Sequence, residues 1–217
     1  MSIIASQGLQ LAIAGTFGTQ FTISALTNAS EGVATLSASH GIIVGDVFEV
    51  TSGWKRLNQR VVRAKTVATN DVTLEGISTV DSPVGSYPSG EGVGTGREIS
   101  AWTTISQLLP DVSVSGGGFR TTDITEIDDI RAKQLPTLAE AVSLTFKYHW
   151  DASLSWRATV EAAARAGAAY PFRLLKGSTK LYGNAYWGYN SEPSIENGVL
   201  VGSITLSSVA DIVTYTT

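Results

Sequence analysis

Only one stretch of this 217-residue chain repeats with a helical period, and that scarcity constrains the fold more than any other feature. In "WDASLSWRATVEAAARAGAAYP", Trp156, Val160, Ala163 and Gly167 recur at spacings of four, three and four, drawing a narrow apolar stripe along one side of a helix. Arg157, Glu161 and Arg165 fall on the opposite side at intervals of four, where alternating charges support one another. Asp151 or Ser153 is expected to cap the start, Gly167 to end the helix, and Pro171 to prevent its resumption. About 13 helical residues span some 20 Å. Everything else reads as short strands between turns, so the expected fold class is mainly β, with this one helix lying on a sheet face.

The strand signals come in three groups. "GLQLAIAG" (8–15) and "QFTISALT" (20–27) flank Gly15 and Gly18 and predict a hairpin. Residues 28–96 pack four or five short strands between turn signals at Ser39 to Gly41, Ser52 to Gly53 and Asn70 to Asp71, and close in the Gly-rich loop "DSPVGSYPSGEGVGTG". Strands follow in "REISAWTTISQLL" and "DVSVSGGG", then a polar segment, 119–141, that shows no period at all. Connections beyond about 12–15 residues are usually functional or mobile. The next strand alternates cleanly, with Val142, Leu144, Phe146 and Tyr148 on one face and Ser143, Thr145, Lys147 and His149 on the other. Past the helix come three more strands, "PFRLLKG", "TKLYGNAYWGYN" and "NGVLVGSITLSS".

Charge and residue inventory exclude several functions. Nineteen acidic against fifteen basic residues leave a net charge of −4, which argues against a protein that grips nucleic acid, because such binding depends on Lys and Arg neutralising phosphates. The chain has no cysteine, hence no disulfide, thiolate metal site or thiol nucleophile. Its first residues lack a basic leader and no apolar run approaches the roughly 18 residues of a membrane span, so neither a signal peptide nor a membrane partner is expected.

His40 and His149 are the only histidines, and neither stands in a metal-binding spacing such as HExxH. His149 and Asp151 read as a structural pair at a strand end rather than part of a catalytic set. No G-x-S-x-G elbow occurs. "GEGVGTG" lacks the dinucleotide-binding spacing, "KGSTK" is not a phosphate loop, and "DITEIDDI" has no Gly where a calcium loop needs one. The sequon Asn28 to Ser30 carries no meaning without secretion. No catalytic residue, metal or cofactor is therefore expected. The aromatic run Tyr182, Tyr186, Trp187 and Tyr189 reads as core and interface packing, with a carbohydrate-binding β-sandwich as the alternative.

The order of strand, helix and three strands behind a long loop resembles the major tail tube proteins of long, flexible-tailed bacteriophages, which share a β-sandwich with one flanking helix. The residues that carry the resemblance are "LLPDVSVSGGG", "VSLTFKYHWDASLSWRATVEAAARAG", "YPFRLLKGSTKLYGNAYWGY" and "VLVGSITLSS". It covers 1–27 and 97–217, the expected discontinuous core. Residues 28–96 depart from that pattern and resemble a small β-barrel related to the first catalytic cysteine half-domain of ubiquitin-activating enzymes, through "ASHGIIVGDVFEVTSG", "LNQRVVRAKTVATNDVTLEGI" and "YPSGEG". They are expected to form an insert with its linker on the outside of the core, or else extra strands of one larger sandwich.

The resemblance implies a structural virion protein of the tail, assembled in the host cytoplasm. Six copies would form a ring, and stacked rings would make the conduit through which DNA passes transiently and without specific contacts. The tape measure protein and a tail terminator or tip protein would be its other partners. The tube of a contractile injection system shares the architecture and stays open as an alternative. On this reading Ser143, Thr145 and His149 face the lumen. The segment holding Gly116, Gly117, Gly118, Arg120, Asp123, Glu126, Asp128, Asp129 and Arg131 would be the ring-stacking loop. The basic cluster Lys55, Arg56, Arg60, Arg63 and Lys65 would either meet that acidic loop on a neighbour or remain solvated surface.

Overall fold

A computed structural model describes residues 8–216, which are mainly β with a single helix. The first strands are β1 (Gln10–Phe17), β2 (Phe21–Leu26), β3 (Val33–Leu36), β4 (Val47–Ser52), β5 (Arg60–Ala68) and β6 (Asp71–Leu74). Next come β7 (Gly94–Ile105), β8 (Leu108–Ser115), β9 (Phe119–Asp123), β10 (Gln134–Ala139) and β11 (Ser143–His149). The helix α1 (Arg157–Ala166) precedes β12 (Tyr170–Lys176), β13 (Thr179–Tyr189), β14 (Ser194–Glu196), β15 (Val199–Ser208) and β16 (Val213–Thr216).

Two sheets share one strand. The order β2-β3-β6-β5-β4-β7 returns from β7 to β2, which closes a six-stranded barrel without a free edge. Only the first part of β7 takes part, with Gly96 opposite Val50 on one side and Phe21 on the other. The rest of β7 continues into the larger sheet, where Ile105 faces Leu11 of β1. That sheet runs β7-β1-β12-β13-β15-β11-β8, with β14 and β16 added to β15 and β13. Each sheet wraps its own apolar cluster. Phe21, Phe48, Trp54, Val61, Val62 and Leu74 fill the barrel, and Leu11, Phe146, Tyr148, Phe172, Trp187 and Ile204 fill the second core.

The helix covers the second core, as its stripe predicts. Trp156, Val160 and Ala163 are buried, and the Trp156 ring meets Tyr148 edge-on at 4.9 Å. Tyr148 in turn lies over Gly202, where any Cβ would come within 2.3 Å of the ring, so this approach requires glycine. Gly167 ends the helix in the left-handed conformation, φ 60°, as expected. The start differs. Trp156 occupies the cap position without a side-chain hydrogen bond, because Asp151 Oδ1 is occupied by the N–H and hydroxyl of Ser153 at 2.8 Å in the preceding turn. Of the charged row, Arg165 pairs with Glu161 at 2.7 Å, while Arg157 donates to Tyr189 Oη at 2.7 Å and lies over Trp150.

Three other expectations are corrected. β1 and β2 are not a hairpin: β1 lies between β7 and β12, and β2 between β3 and β7. Residues 18–20 carry the chain from one sheet to the other, anchored by Gly18 N–H donating to Glu98 O at 2.9 Å. The turn at Asn70 to Asp71 sits one residue earlier, since Ala68 pairs with Asp71 and leaves Thr69 and Asn70 as the loop. Segment 119–141 is no irregular loop but the antiparallel hairpin β9–β10, with Leu135 opposite Thr122. Neither arm of that hairpin has a buried residue, so no core face imposed an alternating pattern that could be read.

The two cores are bolted together by a buried polar group. Glu49 on β4 accepts from Asn184 Nδ2 at 2.6 Å and from Arg97 Nε at 2.8 Å, and both Glu49 and Asn184 are buried. Beside it, Tyr215 of β16 packs on Tyr182, accepts from Arg63 N–H and donates to Glu75 O across the junction, and burial pushes its phenol up to about 12. Arg97→Ala would leave the buried Glu49 carboxylate to Asn184 alone and, with Arg97 itself part-exposed, is expected to cost about 2 kcal/mol in urea denaturation. Adding Glu49→Gln should recover part of that loss.

Candidate functional site

Two surfaces stand out, one on the larger sheet and one on the separate two-stranded sheet β9–β10. The first is the outward face of the larger sheet over β8, β11, β15 and β13. Strand register sets Ser143 opposite Ser115 and Ser207, and Thr145 opposite Ser113 and Thr205. Ser207 in turn faces Tyr186, and Lys147 faces Ser203. Because side chains opposite one another share a face, this surface is a field of small hydroxyls, with Thr145 and Thr205 oxygens 3.5 Å apart. Lys147, beside these hydroxyls, is neutralised by both carboxylate oxygens of Glu196 at 3.0 and 3.1 Å. His149 stands exposed at the strand end, and its backbone N–H bonds Gln107 O. The alternating core face, Leu144, Phe146 and Tyr148, is buried beneath.

The second surface is the hairpin β9–β10. It carries six large apolar side chains in the open: Phe119, Ile124, Ile127, Ile130, Leu135 and Leu138, with Ile127 and Ile130 fully exposed. Arms of five and six residues reach about 20 Å at ~3.3 Å per residue. The glycines at its base are geometric rather than loose. Gly116 and Gly117 have φ 79° and 78°, and Gly117 N–H bonds Glu140 O while Glu140 N–H bonds Gly118 O at 2.8 Å. Along the hairpin, Arg120 pairs with Glu140 at 3.2 Å and Asp123 Oδ1 accepts from Thr125 N–H at 2.9 Å. At the tip, Asp129 holds Lys133 and accepts from Glu126 N–H at 2.8 Å. The Lys133 ammonium and that N–H keep the Asp129 carboxyl below the usual range. The side chains of Glu126, Asp128 and Arg131 are exposed.

The basic residues on the barrel are dispersed. Arg63 is bound to Glu75, Lys65 to Glu31, and Arg60 reaches Asp211 at 3.7 Å. Lys55 and Arg56 are exposed beside Asp211 and Tyr87. Of the aromatic run, Tyr182 and Trp187 are buried and Tyr189 is engaged by Arg157, which leaves Tyr186 as the one exposed ring and no row of rings for a sugar. Among the described residues no group of three His, Asp or Glu side chains is arranged to hold a metal, and no helix is long and apolar enough to cross a membrane. Sequence reasoning missed the exposed isoleucines and leucines of the hairpin. Their signal was present in "ITEIDDI" and "LPTLA", apolar residues embedded in a segment too polar to have a core.

A Cβ at Gly116 would lie 2.0 Å from Ala141 O, and its φ disfavours any other residue. Gly116→Ala should therefore loosen the hairpin base, seen as faster hydrogen exchange at the amides of Gly117 and Glu140 with the core unchanged. A depressed Asp129 pKa means that its contribution is complete above about pH 3.9, the ordinary Asp value, and is lost as the pH falls through the folded value. Protection at the Glu126 amide should follow that course and lose its acid sensitivity in Asp129→Asn.

A family model described as "Phage tail tube protein, TTP" matches residues 52–217, well over half of the chain. No curated protein matches. A chain in the cryo-EM structure of the anti-feeding prophage (AFP) baseplate, 6-fold symmetrised, aligns at 13% identity with a TM-score of 0.36, over 54% of this chain and 85% of that one.

Proposed function

This chain belongs to the phage tail tube protein family, and from that premise we propose that it is the repeating subunit of a long, flexible tail tube, six copies to a ring and the rings stacked. Its role is structural and non-enzymatic, in the tail of the virion. The observation that carries the stacked arrangement is the hairpin β9–β10, which spends no residue on the subunit's own core and presents six apolar side chains to water. Fully burying one such side chain contributes about 2 kcal/mol. Ile127 and Ile130 together then supply about 4 kcal/mol, roughly a thousandfold in affinity. Adjacent rings are the surfaces that cover them.

The hydroxyl face is the lumen, with Ser143, Thr145 and His149 turned to the channel. Every unpaired Lys or Arg on a channel wall would bind phosphate and add friction. A wall of serine and threonine with Lys147 held by Glu196 lets DNA pass without holding it. β8 supports the same reading, because among the described residues it bonds only β11, and its other edge is then offered to a neighbouring copy that extends the sheet around the ring. Residues 28–96, which hold β3 to β6, are an insert carried on the tube core of 1–27 and 97–217, whose strand β2 and the start of β7 complete the barrel; residues 1–7 of that core lie outside the described residues. The barrel is of the kind related to the ubiquitin-activating-enzyme half-domain, and closure without edges suits a module facing away from the sheet that must join its neighbours. The tape measure protein inside the tube and a terminator or tip protein at its ends complete the partners.

Ile127→Asp with Ile130→Asp should leave the melting temperature unchanged and raise the concentration needed for tubes, read by sedimentation and negative-stain microscopy, at least a hundredfold. Tubes of normal length from a variant with 119–139 replaced by a short Gly-Ser turn would refute the stacking role. Single cysteines at 143 and 144 separate lumen from core: in intact tubes Ser143→Cys should react with a small, channel-permeant maleimide and Leu144→Cys should not.

A further inference from the structure

The exposed hairpin tip has a counterpart elsewhere in the same subunit. An apolar pocket of about 270 Å³ opens between the start of β1 and the start of β8, walled by Leu9, Leu108, Leu109, Pro110, Val112 and Phe146. A cavity of about 150 Å³ accepts benzene, so this one has room for a branched aliphatic side chain. We propose that the pocket is the socket for the hairpin tip of a second copy, Ile127 entering it with Ile130 against its rim. This rests on the stacking reading of the hairpin and names the surface that the hairpin meets.

Three observations fit the tip to this socket. The first is direction: β8 runs from Leu108 in the pocket wall to Ser115 beside the hairpin base, where Ser143 pairs with Ser115. The hairpin base and the hole thus lie at opposite ends of one strand of eight residues, about 26 Å apart. Ile127 is fully exposed, so the tip does not fill the socket of its own chain, and two such different surfaces make the contact head-to-tail, the kind that builds open-ended stacks rather than closed pairs. Chemistry is the second, since the tip offers two fully exposed isoleucines and the pocket wall is apolar. The third is charge. Lys176 lies at the pocket mouth, its Nζ 3.6 Å from where a Cβ on Gly8 would stand, and it forms no ion pair among the described residues. Glu126 and Asp128, flanking Ile127, are exposed carboxylates that likewise have no ion pair among the described residues.

The chain lacks cysteine, so an introduced pair reports without background. In tubes of Leu109→Cys with Ile130→Cys, mild oxidation should link subunits into ladders longer than dimers, whereas unassembled subunits should stay monomeric. A second test uses rings of two kinds. Leu109→Glu rings keep the tip and lose the socket, and Ile127→Asp/Ile130→Asp rings keep the socket and lose the tip. Neither should stack alone, and a mixture should stop at stacks of two. Tubes that form normally but do not link 109 to 130 would overturn the assignment. So would linkage of position 109 to position 4 through Ile4→Cys, which would give the pocket to the chain's own N-terminal segment. If the variant without the hairpin still makes tubes, the stacking reading fails; if it does not and the 109–130 link is absent, only the socket is wrong.

Discussion

Strand β7 is the constraint on which the rest of the molecule depends. A buried backbone N–H or C=O left without a partner costs about as much as a lost hydrogen bond, so a strand that serves two sheets fixes both. The first residues of β7 close the barrel between β4 and β2, and the later ones hold β1 in the larger sheet. At twelve residues it is the longest strand of the described chain, and it sets the barrel and the larger sheet in one fixed relation. The Glu49–Arg97–Asn184 group stands at that junction, with Arg97 on β7 itself. A buried carboxylate is tolerated only when it is paired and hydrogen-bonded, which makes this group sensitive to any shift of one sheet against the other.

From that rigid junction outward, the molecule divides its surfaces by chemistry. The barrel has used up its edges internally, and Arg63 is bound to Glu75 and Lys65 to Glu31. Among the described residues, the larger sheet keeps an open edge at β8 and a hydroxyl face whose Lys147 is paired with Glu196, and the separate hairpin β9–β10 carries apolar side chains that no described residue covers. A protein that ended its life as a monomer would carry the liability of that edge and that hairpin with no return, since both invite uncontrolled association. The hydroxyl face and the exposed apolar side chains fall on different parts of the subunit, the first on the larger sheet and the second on the separate two-stranded sheet.

How much of this was legible depended on whether burial left a pattern. The alternation of Val142 to His149 announced a strand with one covered face, and the stripe of Trp156, Val160 and Ala163 announced the helix and its docking side. Both signals exist because a core selects residues at the period of the element that covers it. The hairpin at 119–139 was invisible for the same reason in reverse: with no buried position it obeys no period. The cap of α1 was misjudged because Asp151 had two local donors in Ser153 competing for it.

The sequence by itself determined the class of fold, the single helix and its buried face, the strand that separates a hydroxyl face from a core face, and the lack of a thiol nucleophile or thiolate ligand. These follow from local spacing and residue inventory. Only the tertiary structure decided that β1 and β2 part company, that the barrel closes on β7, that the basic residues of the barrel are scattered among partners, and that an apolar pocket lies one strand-length from the base of an apolar hairpin. Such facts are pairings between residues far apart in the chain, and their hydrogen bonds and contacts impose no period on the sequence from which they could be read.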